Sequence, residues 1–110
     1  MRDDGTLYGV RAITRPATGR AVHVRSFRQP LDLPDDAIVI GSYATPDVIF
    51  VIERVAGMIF ETGGTASHAA ILAREFGVPC VVGATDALTV IPHGARVEIS
   101  TDGTVRYEAP

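Results

Sequence analysis

A glycine pair followed by a hydroxyl-rich turn and a histidine constrains this chain more than any other feature. Residues 62–68 read TGGTASH. Residues 58–61 before them begin with three apolar side chains and are typical of a buried strand. Residues 67–76 after them carry apolar side chains at helical spacing, and Gly77 and Pro79 follow as a helix stop. The pattern predicts a tight strand-to-helix junction with a histidine in the first helical turn.

The junction combines the groups that a phosphoryl carrier needs. The first-turn N–H groups and the dipole of a helix attract anions. Gly63 and Gly64 lack the side chains that would hold a phosphate donor away from the backbone. Thr65 and Ser67 can cap the helix and donate hydrogen bonds to phosphate oxygens. His68 is the strong nucleophile of the group, so it is the predicted catalytic residue and the other four are the predicted phosphate-binding residues.

Two further residues extend this candidate site, and a purely structural interpretation stays open. Thr62, at the strand end, could accept the Nδ1 proton of His68 through its hydroxyl or carbonyl and so orient the ring. Arg74 could contact phosphate, or it could fix the helix to a neighbouring loop or pair with a carboxylate. In the structural alternative, the glycines end a strand, a hydroxyl caps a helix, and His68 is an ordinary polar residue.

Apolar patterning predicts the strands. Residues 21–26 alternate apolar with polar side chains, and short, mostly apolar runs lie at residues 37–40, 58–61 and 78–82. Residues 96–100 and 104–107 flank a turn as a terminal hairpin. Residues 29–36 hold two prolines and three aspartates and predict a loop. Strands alternating with helices over short connections predict an α/β fold with parallel central strands and antiparallel additions.

A second helix is predicted between the strands at 37–40 and 58–61. Thr45 and Pro46 supply a cap and a first-turn proline, and Gly57 is the predicted end. The stripe expected to be buried has the spacing i, i+3, i+4 and i+7. Its members are Val48, Val51, Ile52 and Val55.

Composition narrows the function classes. The 110 residues suit one domain, predicted over residues 9–110 after a loose segment 1–8. The net charge of −3 and the scattered basic residues argue against nucleic acid and membrane partners. No signal or membrane-spanning pattern is visible, and the single Cys80 fits a reducing compartment, so a cytoplasmic location is predicted. Cys80 is expected to be buried and structural, and His23 and His93 are expected to be ordinary surface or edge residues rather than ligands. No metal site is predicted.

Residues 62–83, which read TGGTASHAAILAREFGVPCVVG, resemble the phosphohistidine motif of the phosphoenolpyruvate-utilising enzymes. That family includes pyruvate phosphate dikinase, phosphoenolpyruvate synthase, enzyme I of the sugar phosphotransferase system and rifampin phosphotransferase. The positions that match the motif are Gly63, Gly64, Ser67, His68, Ile71, Ala73, Arg74 and Glu75. Ala66 stands where several members carry a threonine, a regulatory phosphorylation site in plant-type dikinases, so regulation by that route is not expected.

The resemblance implies a swivelling β/β/α phosphohistidine domain acting as a phosphotransferase component. His68 would accept a phosphoryl group from ATP or phosphoenolpyruvate bound by a partner and pass it to an acceptor at a second partner site. That partner would be an ATP-grasp protein or domain, a phosphoenolpyruvate- or pyruvate-binding barrel, or both. Mg²⁺ and the donor would bind to the partner, and the chain alone would hold no cofactor and show no turnover. The alternative is a non-catalytic binding or interaction module that retains the fold.

Overall fold

The computed structural model describes residues 5–11, 15–25, 27, 32–64 and 67–109. Their strands are β1 Gly5–Tyr8, β2 Val10–Arg11, β3 Ala17–His23, β4 Ala37–Gly41, β5 Gly57–Phe60, β6 Cys80–Val82, β7 Arg96–Ile99 and β8 Thr104–Glu108. Their helices are two short 3-10 helices, Pro46–Phe50 and Ile52–Arg54, and two α-helices, α1 His68–Phe76 and α2 Ala87–Val90.

The eight described strands form one mixed sheet in the order β1-β8-β7-β3-β4-β5-β6-β2. Its centre is parallel, because β4 pairs in parallel with both β3 and β5, and β5 pairs in parallel with β6. The other pairings are antiparallel: β1 with β8, β8 with β7, β7 with β3, and β6 with β2. The prediction of an α/β fold with a parallel centre and antiparallel additions is therefore confirmed.

Apolar side chains cover the sheet on both faces. On one face, the two 3-10 helices and α1 pack over β4, β5 and β6, and the buried residues include Val48, Ile52, Met58, Phe60, Ala70 and Ala73. On the other face, α2 and the β7–β8 hairpin enclose a second cluster that includes Ile38, Ile40, Ile59, Ala87, Val97 and Val105. Strands β4, β5 and β6 are buried along their whole length, as expected for parallel strands covered on both faces.

The prediction of a single helix before β5 is wrong. Two 3-10 helices occupy this connection, and Gly57 begins β5 rather than ending a helix. The predicted stripe is correct in its burial, because Val48, Val51 and Ile52 are buried and Val55 packs partly against the same cluster. Spacings of three residues suit a 3-10 helix as well as an α-helix, so the burial pattern did not distinguish the two.

The prediction that residues 1–8 form a loose segment is wrong for β1, which pairs with β8 over four residues. Residues 1–4 lie outside the described part of the chain. The strand predicted at residues 21–26 begins earlier, at Ala17, and ends at His23, and Ser26 is not described. Residues 32–36 form a loop as predicted, whereas residues 29–31 of that loop are outside the description. Strand β2 and helix α2 were not predicted.

The terminal hairpin and the three buried strands are confirmed, with ends shifted by one or two residues. The hairpin turn is held by Asp102, whose carboxylate accepts a hydrogen bond of 2.9 Å from the backbone N–H of Thr104. This bond lowers the pKa of Asp102 below its ordinary value. Among the described residues, no helix has the length and apolar character needed to cross a membrane.

Candidate functional site

Helix α1 has a well-formed cap at each end, and its N-terminus carries the candidate site. The Ser67 hydroxyl accepts a hydrogen bond of 3.3 Å from the backbone N–H of Ala70, and this satisfies one donor of the first turn. At the other end Gly77 adopts a left-handed conformation, with φ of 70°. The backbone N–H of Val78 donates a 2.9 Å hydrogen bond to the carbonyl of Ala73. The predicted cap and stop of this helix are both confirmed.

The two glycines before the helix have different structural reasons for lacking a side chain. Gly63 has a φ of +113°, a conformation that favours glycine, and a Cβ there would lie 3.1 Å from the Ser67 hydroxyl oxygen. A Cβ on Gly64 would meet no atom within 4 Å. The carbonyl of Gly64 accepts a 3.1 Å hydrogen bond from the N–H of Ser67, which closes the turn. Gly63 therefore shapes the loop, while Gly64 faces open space into which a ligand can fit.

His68 is the first residue of α1, and its side chain is exposed. Ile71 and Glu75, one and two turns further on, are exposed on the same side of the helix. The opposite side holds Ala70 and Ala73, which are fully buried against the sheet. The helix thus packs on the sheet through its alanines, and the imidazole lies on the side that is exposed to solvent.

Thr62 lies at the same junction, but its side chain is engaged with the neighbouring connection. Its hydroxyl donates a 2.8 Å hydrogen bond to the carbonyl of Ser42, and its backbone N–H donates to that carbonyl over 3.0 Å. Among the described residues, no hydrogen bond joins Thr62 to the His68 ring. The predicted orienting role of Thr62 therefore stays a prediction. Thr65, the remaining predicted phosphate-binding residue, lies outside the described residues, as does Ala66.

Sequence reasoning assigned no role to Glu61, which links three connections at this edge. Its carboxylate accepts a 3.0 Å hydrogen bond from the backbone N–H of Leu88, in the first turn of α2, and the Ser42 hydroxyl lies 3.4 Å from its other oxygen. Gly83 also lies close to the backbone of Gly63, because a Cβ on Gly83 would be 3.4 Å from the carbonyl oxygen of Gly63. Hydrogen bonds of Glu61 thus connect the segments that follow β4, β5 and β6, next to the glycine pair. The one sequence feature that could have indicated this role of Glu61 is its position directly before residues 62–64, TGG.

Cys80 is unavailable as a nucleophile. It lies fully buried in β6, and burial raises the pKa of its thiol from 9.0 to about 12, with a smaller opposing effect from the charge of Arg74. The thiol therefore stays protonated near neutral pH, and its predicted structural role agrees with this environment. Arg74 is exposed near the end of α1, six residues after His68, so a phosphate role for it stays a prediction.

The other two histidines contact each other. The backbone N–H of His23 donates to Nδ1 of His93 over 3.2 Å, and Nε2 of His23 donates to the carbonyl of Ile91 over 2.7 Å. Their rings meet edge to face with centroids 5.7 Å apart. His93 is exposed, as predicted for a surface residue, whereas His23, also predicted to be a surface or edge residue, is partly buried at the end of β3, an internal strand between β7 and β4. Within the described ranges, no three side chains of the metal-binding types come together.

Comparison with known proteins places this geometry in one family. Residues 33–104 match the family model of the PEP-utilising enzyme, mobile domain. A probable phosphoenolpyruvate synthase of Methanothermobacter thermautotrophicus is 34% identical over 92 residues, which are 84% of this chain and 14% of that protein. A rifampicin phosphotransferase of Streptomyces sviceus is 34% identical over 103 residues, which are 93% of this chain and 12% of that protein.

A solved structure agrees with these relatives. The solution structure of Enzyme I superposes with a TM-score of 0.60 and 32% sequence identity, over 69% of this chain and 32% of that one. The chain spans only about one seventh or less of the length of the two curated relatives above. The match to the family model covers well over half of the chain and includes the glycine pair, the capped helix and the exposed histidine. The chain belongs to the mobile-domain family of the PEP-utilising enzymes.

Proposed function

We propose that this domain carries a phosphoryl group on His68 between two sites of a partner. The observation that supports this most directly is an exposed imidazole on the first residue of a capped helix, preceded by a glycine with open space beside it. A nucleophile, an anion-binding helix terminus and room for a phosphate therefore lie together. The names of the curated relatives, a synthase and a phosphotransferase that both involve phosphoryl chemistry, support the same conclusion.

The first half-reaction is a displacement at phosphorus. A nitrogen of the neutral His68 imidazole attacks the phosphorus of ATP or phosphoenolpyruvate bound by the partner. A P–N bond forms, the P–O bond to the leaving group breaks, and the leaving oxygen takes the electron pair. In the second half-reaction, an acceptor oxygen or water attacks the phosphohistidine phosphorus, and the imidazole nitrogen takes back its electron pair. No oxidant or reductant is needed.

The surroundings of His68 support both halves of this cycle. The positive end of α1 attracts the phosphoryl group of the donor, and it then stabilises the phosphate after transfer. Each such interaction is worth about 0.3–1 kcal/mol at an exposed position. The contribution of this chain is therefore modest, and most of the rate enhancement would come from the partner's donor site.

The phosphoryl donor is proposed to bind to the partner. We infer an ATP-grasp protein or domain, or a barrel that binds phosphoenolpyruvate or pyruvate, or both. Mg²⁺ would be held at the partner's phosphate site, where it neutralises the developing charge during transfer. Thr62, Gly63, Gly64, Thr65 and Ser67 are proposed to contact or orient the phosphate, and the cytoplasm is the proposed compartment.

The test is labelling of His68. The purified chain is incubated with Mg²⁺, dialysed extract of the source cells and either ATP labelled in its β and γ phosphates or labelled phosphoenolpyruvate. We expect one labelled phosphate that is lost in acid and stable in alkali, as a phosphoramidate is. Label should be absent from His68→Ala and present in His93→Ala, a matched change of an exposed histidine. Without extract, the chain should consume neither donor.

Other outcomes would contradict the proposal. Label that survives acid would place the phosphate on a hydroxyl side chain, and label that persists in His68→Ala would place it on a residue other than His68. Consumption of donor by the purified chain alone, unchanged in His68→Ala, would show that a separate active site exists. Absence of labelling with either donor and active extract would favour the non-catalytic binding module.

A further inference from the structure

The short helix α2 is capped by a side chain from another part of the chain. Asp86, its N-cap residue, has a left-handed backbone conformation with φ of 67°, and its side chain makes no cap hydrogen bond. The N–H of Leu88 is one of the first-turn donors that a helix leaves without a partner, and it donates to the Glu61 carboxylate over 3.0 Å. A carboxylate is favoured at this end of a helix, so Glu61 caps α2 in place of Asp86.

The backbone around Glu61 is held on its other side by the segment that follows β4. The N–H of Glu61 donates to the carbonyl of Gly41 over 3.0 Å. Thr62 donates from its N–H and from its hydroxyl to the carbonyl of Ser42, over 3.0 and 2.8 Å. The Ser42 hydroxyl lies 3.4 Å from the Glu61 carboxylate. The chain leaving β5 is therefore bonded to the segment after β4 through its backbone, and to α2 through the Glu61 side chain.

The glycine pair follows directly after this anchored stretch. Gly63 lies two residues after Glu61, with φ of +113°, and its carbonyl oxygen would be 3.4 Å from a Cβ on Gly83. Gly83 and Leu88 both belong to the segment after β6, so a shift of that segment would change the surface against which Gly63 lies. Among the described residues, the bond from Glu61 to Leu88 is the one hydrogen bond that joins the end of β5 to α2. Glu61 thus restrains backbone that its glycines leave free to adopt many conformations.

We propose that Glu61 is a positioning residue for phosphoryl transfer to His68. This inference rests on the proposed function and adds a residue to it. Glu61 itself does not contact the phosphate. It fixes the glycine pair, so that the open space beside Gly64 lies where the phosphoryl group must be when the imidazole attacks. Such restraint matters because a displacement of about 1 Å can slow a transfer about a hundredfold.

The experiment measures the rate at which phosphoramidate phosphorylates His68. The imidazole nitrogen attacks phosphorus, the P–N bond to the amino group breaks, and ammonia leaves with the electron pair and takes up the ring proton. This small donor needs no partner, so the rate reports the geometry of this chain alone. Thermal melts establish that each variant is folded, and all rates are measured well below the melting temperatures. Acid-labile phosphate found in His68→Ala is subtracted as background.

Four variants separate positioning from stability. Glu61→Ala should slow the reaction about tenfold or more, because the glycine pair is no longer restrained. Glu61→Gln should restore most of the rate, since its amide oxygen can accept the hydrogen bond from Leu88. Val105→Ala truncates a fully buried side chain in β8 and so lowers stability, yet it should leave the rate unchanged. Glu98→Ala removes an exposed glutamate of β7 and should change neither quantity.

Three results would overturn the positioning role and leave the carrier function standing. They are a normal rate in Glu61→Ala, an equal loss of rate in Val105→Ala, and a rate in Glu61→Gln as low as that in Glu61→Ala. The second would assign the loss to lower stability, and the third would assign it to the negative charge. Failure of cell extract with ATP or phosphoenolpyruvate to label the wild-type chain would overturn the proposed function and the positioning role together.

Discussion

Two connections join neighbouring parallel strands on the same face of this sheet, and they are built differently. The connection from β4 to β5 consists of two 3-10 helices, whereas the connection from β5 to β6 is a single nine-residue α-helix. Thr45, before the first 3-10 helix, makes no side-chain cap hydrogen bond, while Ser67 caps α1. The connection that carries the candidate site is thus the one whose helix is capped at both ends.

Residue type explains the difference. The first connection is rich in β-branched residues, which lose side-chain freedom in an α-helix, and it has no glycine in a left-handed conformation at its end. In α1 the buried positions are alanines, which favour the helix and let it lie close to the sheet. The 3-10 connection therefore depends on burial of its apolar side chains, and α1 depends more on its own caps and propensity. Four substitution experiments can test this contrast.

The largest effect is expected from the 3-10 connection. Ile52 is fully buried in the second 3-10 helix, so Ile52→Ala should cost about 2–5 kcal/mol of unfolding free energy, the usual range for such a cavity. Ile49→Ala is a matched control on an exposed isoleucine and should change stability by no more than about 0.5 kcal/mol. Urea unfolding of both variants measures the difference. Similar costs at the two positions would mean that burial does not stabilise this connection.

The glycine pair at the entrance to α1 should show the next largest effect. Gly63→Ala forces a side chain into a left-handed conformation against Ser67, and such strain costs of the order of 1–3 kcal/mol. Gly64→Ala meets open space and should leave the melting temperature almost unchanged. If phosphate occupies that space, Gly64→Ala should still slow labelling of His68. Equal destabilisation by both changes would contradict the different roles of the two glycines.

The ends of α1 could be predicted from sequence because the Ser67 cap and the Gly77 stop act on neighbouring residues. The parallel strands could also be predicted, since their short apolar runs are set by burial on both faces. The 3-10 connection was missed because a three-residue spacing fits two helix types. The link from Glu61 to Leu88 spans 27 residues and depends on tertiary packing, so local sequence carried no sign of it. The pairing of β1 with β8 was missed for the same reason.

The two connections lead into the neighbouring strands β5 and β6, where Met58 and Cys80 lie opposite each other. The thiol of Cys80 is ionisable. Burial raises the pKa of Cys80 from 9.0 to about 12, so the unfolded chain loses this proton at lower pH than the folded chain. Stability is then fully present below about pH 9 and falls as pH rises, by up to about 1.4 kcal/mol per pH unit.

Cys80→Ala removes this titration and provides the control. Its unfolding free energy should fall less steeply than that of the wild-type chain between pH 9 and pH 10.5, whatever the two values are at pH 7. Urea unfolding at several pH values measures the two slopes. Parallel slopes would show that the Cys80 thiol ionises as readily in the folded chain as in the unfolded one.

The smallest effect compares the N-caps of the two connections directly. The Ser67 hydroxyl accepts from the N–H of Ala70, so Ser67→Ala should cost about 1 kcal/mol, whereas Thr45→Ala removes no such bond and should cost much less. A domain of this size normally holds several kcal/mol of stability, so both variants should stay folded. Their melting curves and rates of His68 labelling then separate two roles of Ser67. If Ser67 also contacts the phosphate, its loss should slow labelling more than the fraction unfolded explains. A lower melting temperature with an unchanged labelling rate of the folded protein would make Ser67 a helix cap and remove it from the site.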